Sequence, residues 1–88
     1  MLLYAFIERW QKNNRMKIYT IEHDEFNYDA YLGHVIVAND KKEVREIAKK
    51  GSADEGKEVW DKAKIIIEGE YTGKKKEPFT MLSDFRAG

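Results

Sequence analysis

Between Tyr31 and Gly51 the apolar residues change period once, and that change restricts the fold more than any other feature of the chain. Over Tyr31–Ala38 they alternate, with Val35 and Val37 on one face and His34 and Ile36 on the other, as in a strand. From Asp40 the spacing becomes helical: Val44, Ile47 and Ala48 stand at i, i+3 and i+4. Asp40 precedes Glu43 by three positions, the spacing of a capping box that satisfies the orphan amides of a helix start. Lys49 and Lys50 then complement the dipole of the last turn, and Gly51 stops the helix.

A second alternating segment precedes this one. Ile18 and Thr20 oppose Tyr19 and Ile21, which predicts a strand over 16–22. The two strands pair as a hairpin across the acidic connection His23-Asp24-Glu25-Phe26-Asn27-Tyr28-Asp29. After the helix, residues 51–56 read as a loop, and Val59, Trp60 and Ala63 as an irregular, partly helical approach to a third strand. That strand holds the β-branched run Ile65-Ile66-Ile67. Gly73, three lysines and the single proline make 71–78 a turn. A fourth strand follows over 79–85, with Phe79, Met81 and Ser83 set against Thr80, Leu82 and Asp84. The predicted fold is α+β: an antiparallel sheet of four strands in the order β-β-α-β-β, with one helix packed on a face.

With 88 residues the chain has room for one small domain, spanning 16–88. Residues 1–15 read as an N-terminal extension. Leu2, Leu3, Phe6, Ile7 and Trp10 recur at helical spacing, so the extension is either a short amphipathic helix or the product of a start codon upstream of Met16. Glu8, Arg9 and the lack of a basic leading region speak against a signal peptide.

Composition excludes several classes. Sixteen basic residues balance sixteen acidic ones, which removes the simplest argument for nucleic-acid binding. The absence of cysteine rules out a disulfide framework, a thiolate metal site and a cysteine nucleophile. No phosphate-cradling glycine loop is present, and the acidic connection lacks the glycine that a calcium loop needs at its sharp turn. Neither histidine stands in a recognisable sequence arrangement with Ser52 or Ser83. No cofactor and no catalytic residue are therefore expected, and the chain reads as a non-enzymatic binding protein.

Three surfaces compete for the binding role. The first is the acidic aromatic connection, with Phe26, Tyr28, Asp29 and Tyr31 as interface residues, since tyrosine supplies broad contact area at low entropic cost. The second is a nucleic-acid surface built from Lys42, Arg45 and Lys49 of the helix together with Lys74, Lys75 and Lys76. Residues 41–50 carry five basic side chains against two acidic ones. The third is a small metal or enzymatic centre at His23 and its neighbouring carboxylates. The first is favoured.

The runs Tyr28-Asp29-Ala30-Tyr31, Val35-Ile36-Val37-Ala38 and Glu43-Val44-Arg45-Glu46-Ile47-Ala48, with the ending Asp84-Phe85-Arg86-Ala87-Gly88, resemble a group of small proteins of phage genomes and prophage-bearing bacteria. The likeness spans 16–88 and rests on order and spacing. It implies a short cytoplasmic protein; separately, no apolar run approaches the roughly 20 residues that span a bilayer, so no membrane partner is expected, and the chain is expected as a monomer or homodimer. Such a protein would bind a host protein or complex, inhibition of a host defence system being one concrete form. It transfers no residue role.

Overall fold

The computed structural model describes residues 16–25 and 29–87. The expectations for 1–15, Phe26, Tyr28 and Gly88 lie outside the described residues. Four strands, β1 (Lys17–Glu22), β2 (Ala30–Ala38), β3 (Lys64–Glu70) and β4 (Phe79–Arg86), form one antiparallel sheet in the order β3-β1-β2-β4. The main helix, α1 (Lys41–Lys50), and a single turn, α2 (Val59–Lys62), follow β2 in the chain. The expected β-β-α-β-β order is present, and the irregular approach to β3 is the short α2.

The capping box forms. Asp40 Oδ1 accepts from Glu43 N at 2.8 Å, while Glu43 Oε1 reaches back to Asn39 N at 2.8 Å. The first bond satisfies an orphan helix amide, while the return bond falls on the residue before the cap, Asn39, rather than on the cap amide itself. Gly51 donates to Ile47 O but has φ −93°, so it ends α1 without using its left-handed freedom.

The core lies between α1, α2 and one face of the sheet. Tyr19, Ile21, Ile36 and Ala38 from the strands meet Val44, Ala48, Trp60 and Ala63. The helical stripe is centred on Val44 and Ala48, and Ile47 is only half-buried at its margin. Trp60, fully buried, is the largest side chain of the core, although it belongs to the least regular part of the chain.

The alternation expected in β4 is broken. Val37 pairs with Phe79, Ile36 with Thr80 and Val35 with Leu82, so Met81 is an extra residue between them. This bulge puts Phe79 on the face away from the helices but returns Ser83 to the helix face, opposite His34. A second irregularity, between Tyr31 and Gly33, turns the Tyr31 ring towards His34. Each inserted residue reverses the facing of all later residues in its strand, because the side-chain period of a strand is two.

Two poles result from the topology. At one, β1 and β4 begin, β2 and β3 end, and α1 starts. At the other, β1 and β4 end, β2 and β3 begin, and the 51–58 loop arrives. No helix among the described residues is long and apolar enough to cross a membrane.

Candidate interaction surface

The second pole gathers most of the chemistry that the sequence scatters. Its anchor is Glu55, a buried carboxylate in the loop after α1. Glu55 Oε1 accepts from Tyr31 N at 2.9 Å and Ala53 N at 3.1 Å, and Oε2 accepts from Trp60 Nε1 at 3.0 Å. Burial alone would raise its pKa. The donors from Tyr31, Trp60 and Ala53 outweigh burial and hold the carboxyl below its ordinary value. One side chain thus joins β2, the 51–56 loop and α2. A second tie runs beside it, from Asp54 N to Asp29 O at 3.1 Å.

Asp29 sits at φ 53°, in the left-handed region, at the entry to β2. Aspartate is among the few residues that tolerate this conformation, at a cost that the surrounding ties must offset. The acidic connection therefore ends on a fixed backbone.

His23 fastens its other end. His23 Nδ1 accepts from Glu25 N at 3.1 Å, which leaves Nε2 as the protonated nitrogen; it donates to Tyr31 O at 2.6 Å. Both ring nitrogens are engaged, so binding a metal there would break two hydrogen bonds. Among the described residues no group of three His, Asp or Glu side chains is placed to hold an ion.

His34 and Ser83, far apart in sequence, meet across β2 and β4: His34 Nδ1 lies 2.7 Å from Ser83 Oγ. The sequence reading did not pair them, because the bulge at Met81 decides which β4 residue faces His34. Burial lowers the His34 pKa; Glu55 pulls it upward and His23 pushes it further down. Among the described residues its buried Nε2 has no hydrogen-bond partner.

Rings complete the pole. His34 lies 4.9 Å from Trp60 and 4.9 Å from Tyr31, and Tyr31 lies 4.9 Å from Phe85. Tyr31 is half-buried and packs against the core, so it supports the surface more than it forms it. Phe85 is 46% exposed. It was not among the expected interface residues, and its alternation in β4 offered no sign that it would stand beside the acidic connection. Asp29 is exposed, as an interface residue requires.

The basic residues do not make one surface. Arg45 Nη1 donates to Trp60 O at 2.8 Å and Ala63 O at 2.9 Å, capping the end of α2 rather than facing a ligand. Lys49 bonds Asp61 Oδ1 at 2.8 Å. Lys75 Nζ lies 4.3 Å over the Phe79 ring. Lys42 and the 74–76 turn sit at the first pole, whereas Lys49, at the far end of α1, sits towards the second. Comparison of the chain with protein-family models, curated proteins and solved structures returns no match.

Proposed function

We propose that this chain is a non-enzymatic binding protein that contacts a partner protein through the second pole. The observation that carries this reading is Phe85, an exposed aromatic ring set edge-to-face against Tyr31, whose backbone is held by buried Glu55. A large apolar ring on a rigid base, beside the charges of Asp29, Glu25 and Asp24, is the arrangement expected of an interface anchor and its polar surround. The acidic connection and the end of β4 act together, since Ala30 pairs with Arg86 and Tyr31 with Phe85. The resemblance to small phage proteins supports a host protein or complex as the partner, with inhibition of a defence system as its concrete form.

Affinity capture from a bacterial lysate tests this with three baits: the native chain, Phe85→Lys, and Tyr28→Ala combined with Asp29→Lys. The expected result is one protein retained by the native chain after nuclease treatment and lost by both variants, all three baits melting cooperatively. Retention of nucleic acid, released by salt and lost in Lys42→Glu with Lys74→Glu, would overturn it in favour of the basic surface.

A further inference from the structure

The sheet face away from α1 is the strongest feature left unexplained, and the strand register sorts it into three rows. Gly69, Ile18, Val37 and Phe79 lie side by side towards the first pole. Ile66, Thr20, Val35 and Leu82 cross the middle, and Lys64, Glu22, Gly33 and Asp84 lie at the second pole. An antiparallel sheet can leave one face to water, but that face then carries polar residues. Here Thr20 is the only polar side chain of the first two rows. At the first pole the 71–78 connection covers Phe79, with the Tyr71 ring 5.5 Å away and Lys75 Nζ 4.3 Å above it, and Val37 is fully buried. The middle row is open at both sheet edges, where Ile66 is 39% and Leu82 67% exposed. In the charged row Lys64 stands opposite Glu22, whereas Asp84 stands opposite Gly33. Arg86, further out on β4, is engaged within its own chain. Among the described residues neither Asp84 nor Lys75 has an ion-pair partner.

We propose that this face binds a second copy of the chain, sheet against sheet, about a two-fold axis that runs along the middle row. A two-fold interface is self-complementary, so every feature of the face must meet its counterpart on the other copy. An axis along the middle row sets Leu82 against Leu82 and Ile66 against Ile66, the two most open apolar positions of the face. It also exchanges the outer rows. Asp84 of each copy then lies over the Phe79 end of the other, where Lys75 stands, so the two unpaired charges meet twice. Shape agrees with charge. The raised 71–78 connection of each copy falls on the open second-pole end of the other. The other two-fold axis, along the strands, would press one connection against its copy and keep Asp84 away from Lys75. Packed sheets stand about 10 Å apart, a gap that leucine and isoleucine side chains fill from both sides.

Sedimentation equilibrium of the full chain, from micromolar to near-millimolar concentration, tests this. A face four strands wide is at the small end of specific interfaces, so the native chain should pass from monomer to dimer within that range. Leu82→Glu places a charge on the axis and should give a cooperatively melting monomer throughout. Asp84→Lys sets like charges together and should weaken dimerisation by roughly tenfold or more. Combining Asp84→Lys with Lys75→Asp exchanges the two charges and should recover most of that loss. A native chain that stays monomeric at the highest concentration would overturn the proposal. If the thiol introduced by Leu82→Cys were then slow to react, the face would belong to another segment of the same chain. A dimer indifferent to Leu82→Glu would place the interface elsewhere, and one that the charge exchange fails to restore would overturn the axis. Partner capture through Phe85, which stands on the helix side of the sheet, is measured separately and does not depend on these results.

Discussion

Replacing Glu55 tests whether the second pole is held together as described. Truncation to alanine removes the acceptor of three donors at once: Tyr31 N, Ala53 N and Trp60 Nε1. A buried donor left without a partner costs about 1–3 kcal/mol. Tyr31, near the start of β2, and Ala53, in the 51–56 loop, are both half-buried, so water can reach their amides once the side chain is gone and they fall at the low end; the Trp60 indole, fully buried, does not. The expected loss for Glu55→Ala is therefore about 3–5 kcal/mol. A chain of this length has a total stability of about 4–13 kcal/mol, so the variant should be marginal. Glu55→Gln keeps the volume but turns one oxygen into a donor facing donors, and should cost about 1–3 kcal/mol. Urea titration at neutral pH, followed by far-UV circular dichroism and tryptophan emission, measures both. Hydrogen exchange adds location: in the Gln variant, protection at the Tyr31 amide and the Trp60 indole should fall before that of β1. A loss below about 1 kcal/mol for the alanine variant with an unchanged urea slope would refute the reasoning, because the three donors would then have had other partners.

The pH dependence arises at the same pole. His34 is held below its ordinary value in the folded state, so the unfolded chain binds the proton first and stability falls as pH drops below about 6.5. Glu55 is also held low; its contribution is present above the ordinary carboxylate range and is lost as pH falls through the folded value. Melting temperatures at successive pH values should show both declines, with His34→Gln flattening the upper one and Glu55→Gln the lower. Arg45→Met keeps the stem but removes the donors to Trp60 O and Ala63 O, and should cost about 1–3 kcal/mol by urea titration. An effect near zero would return Arg45 to the surface. Val44→Ala in the buried stripe should cost about 2 kcal/mol, whereas exposed Lys42→Ala should stay within about 0.5 kcal/mol. Equal values would mean that α1 is rotated from its described face. Gly33→Ala brings a Cβ to 3.0 Å from Ile21 O, a backbone atom that cannot swing aside, and should lower the melting temperature.

Much of this fold is a property of the sequence itself. The alternation in 17–22 and 30–38, the Asp40–Glu43 box and the apolar triad of α1 are local patterns. Local backbone geometry converts them directly into elements, and their order implies an α+β sheet with a helix on one face. The candidate site is different. Glu55 reads as an ordinary loop acid because burial of a carboxylate is decided by donors that arrive from elsewhere: Tyr31, 24 residues before it, and Trp60, five after it. Trp60 itself stands in a weakly patterned stretch and becomes the centre of the core only when α2 is laid on the sheet. The pairing of His34 with Ser83, and the placing of Phe85 against Tyr31, depend on two single-residue irregularities in the β2–β4 ladder. Nothing local marks such an insertion, yet each one exchanges the faces of every residue beyond it. Periodicity therefore determined the elements and their order, while long-range hydrogen bonds and strand register decided which side chains meet, because burial and facing are settled only once distant segments pack.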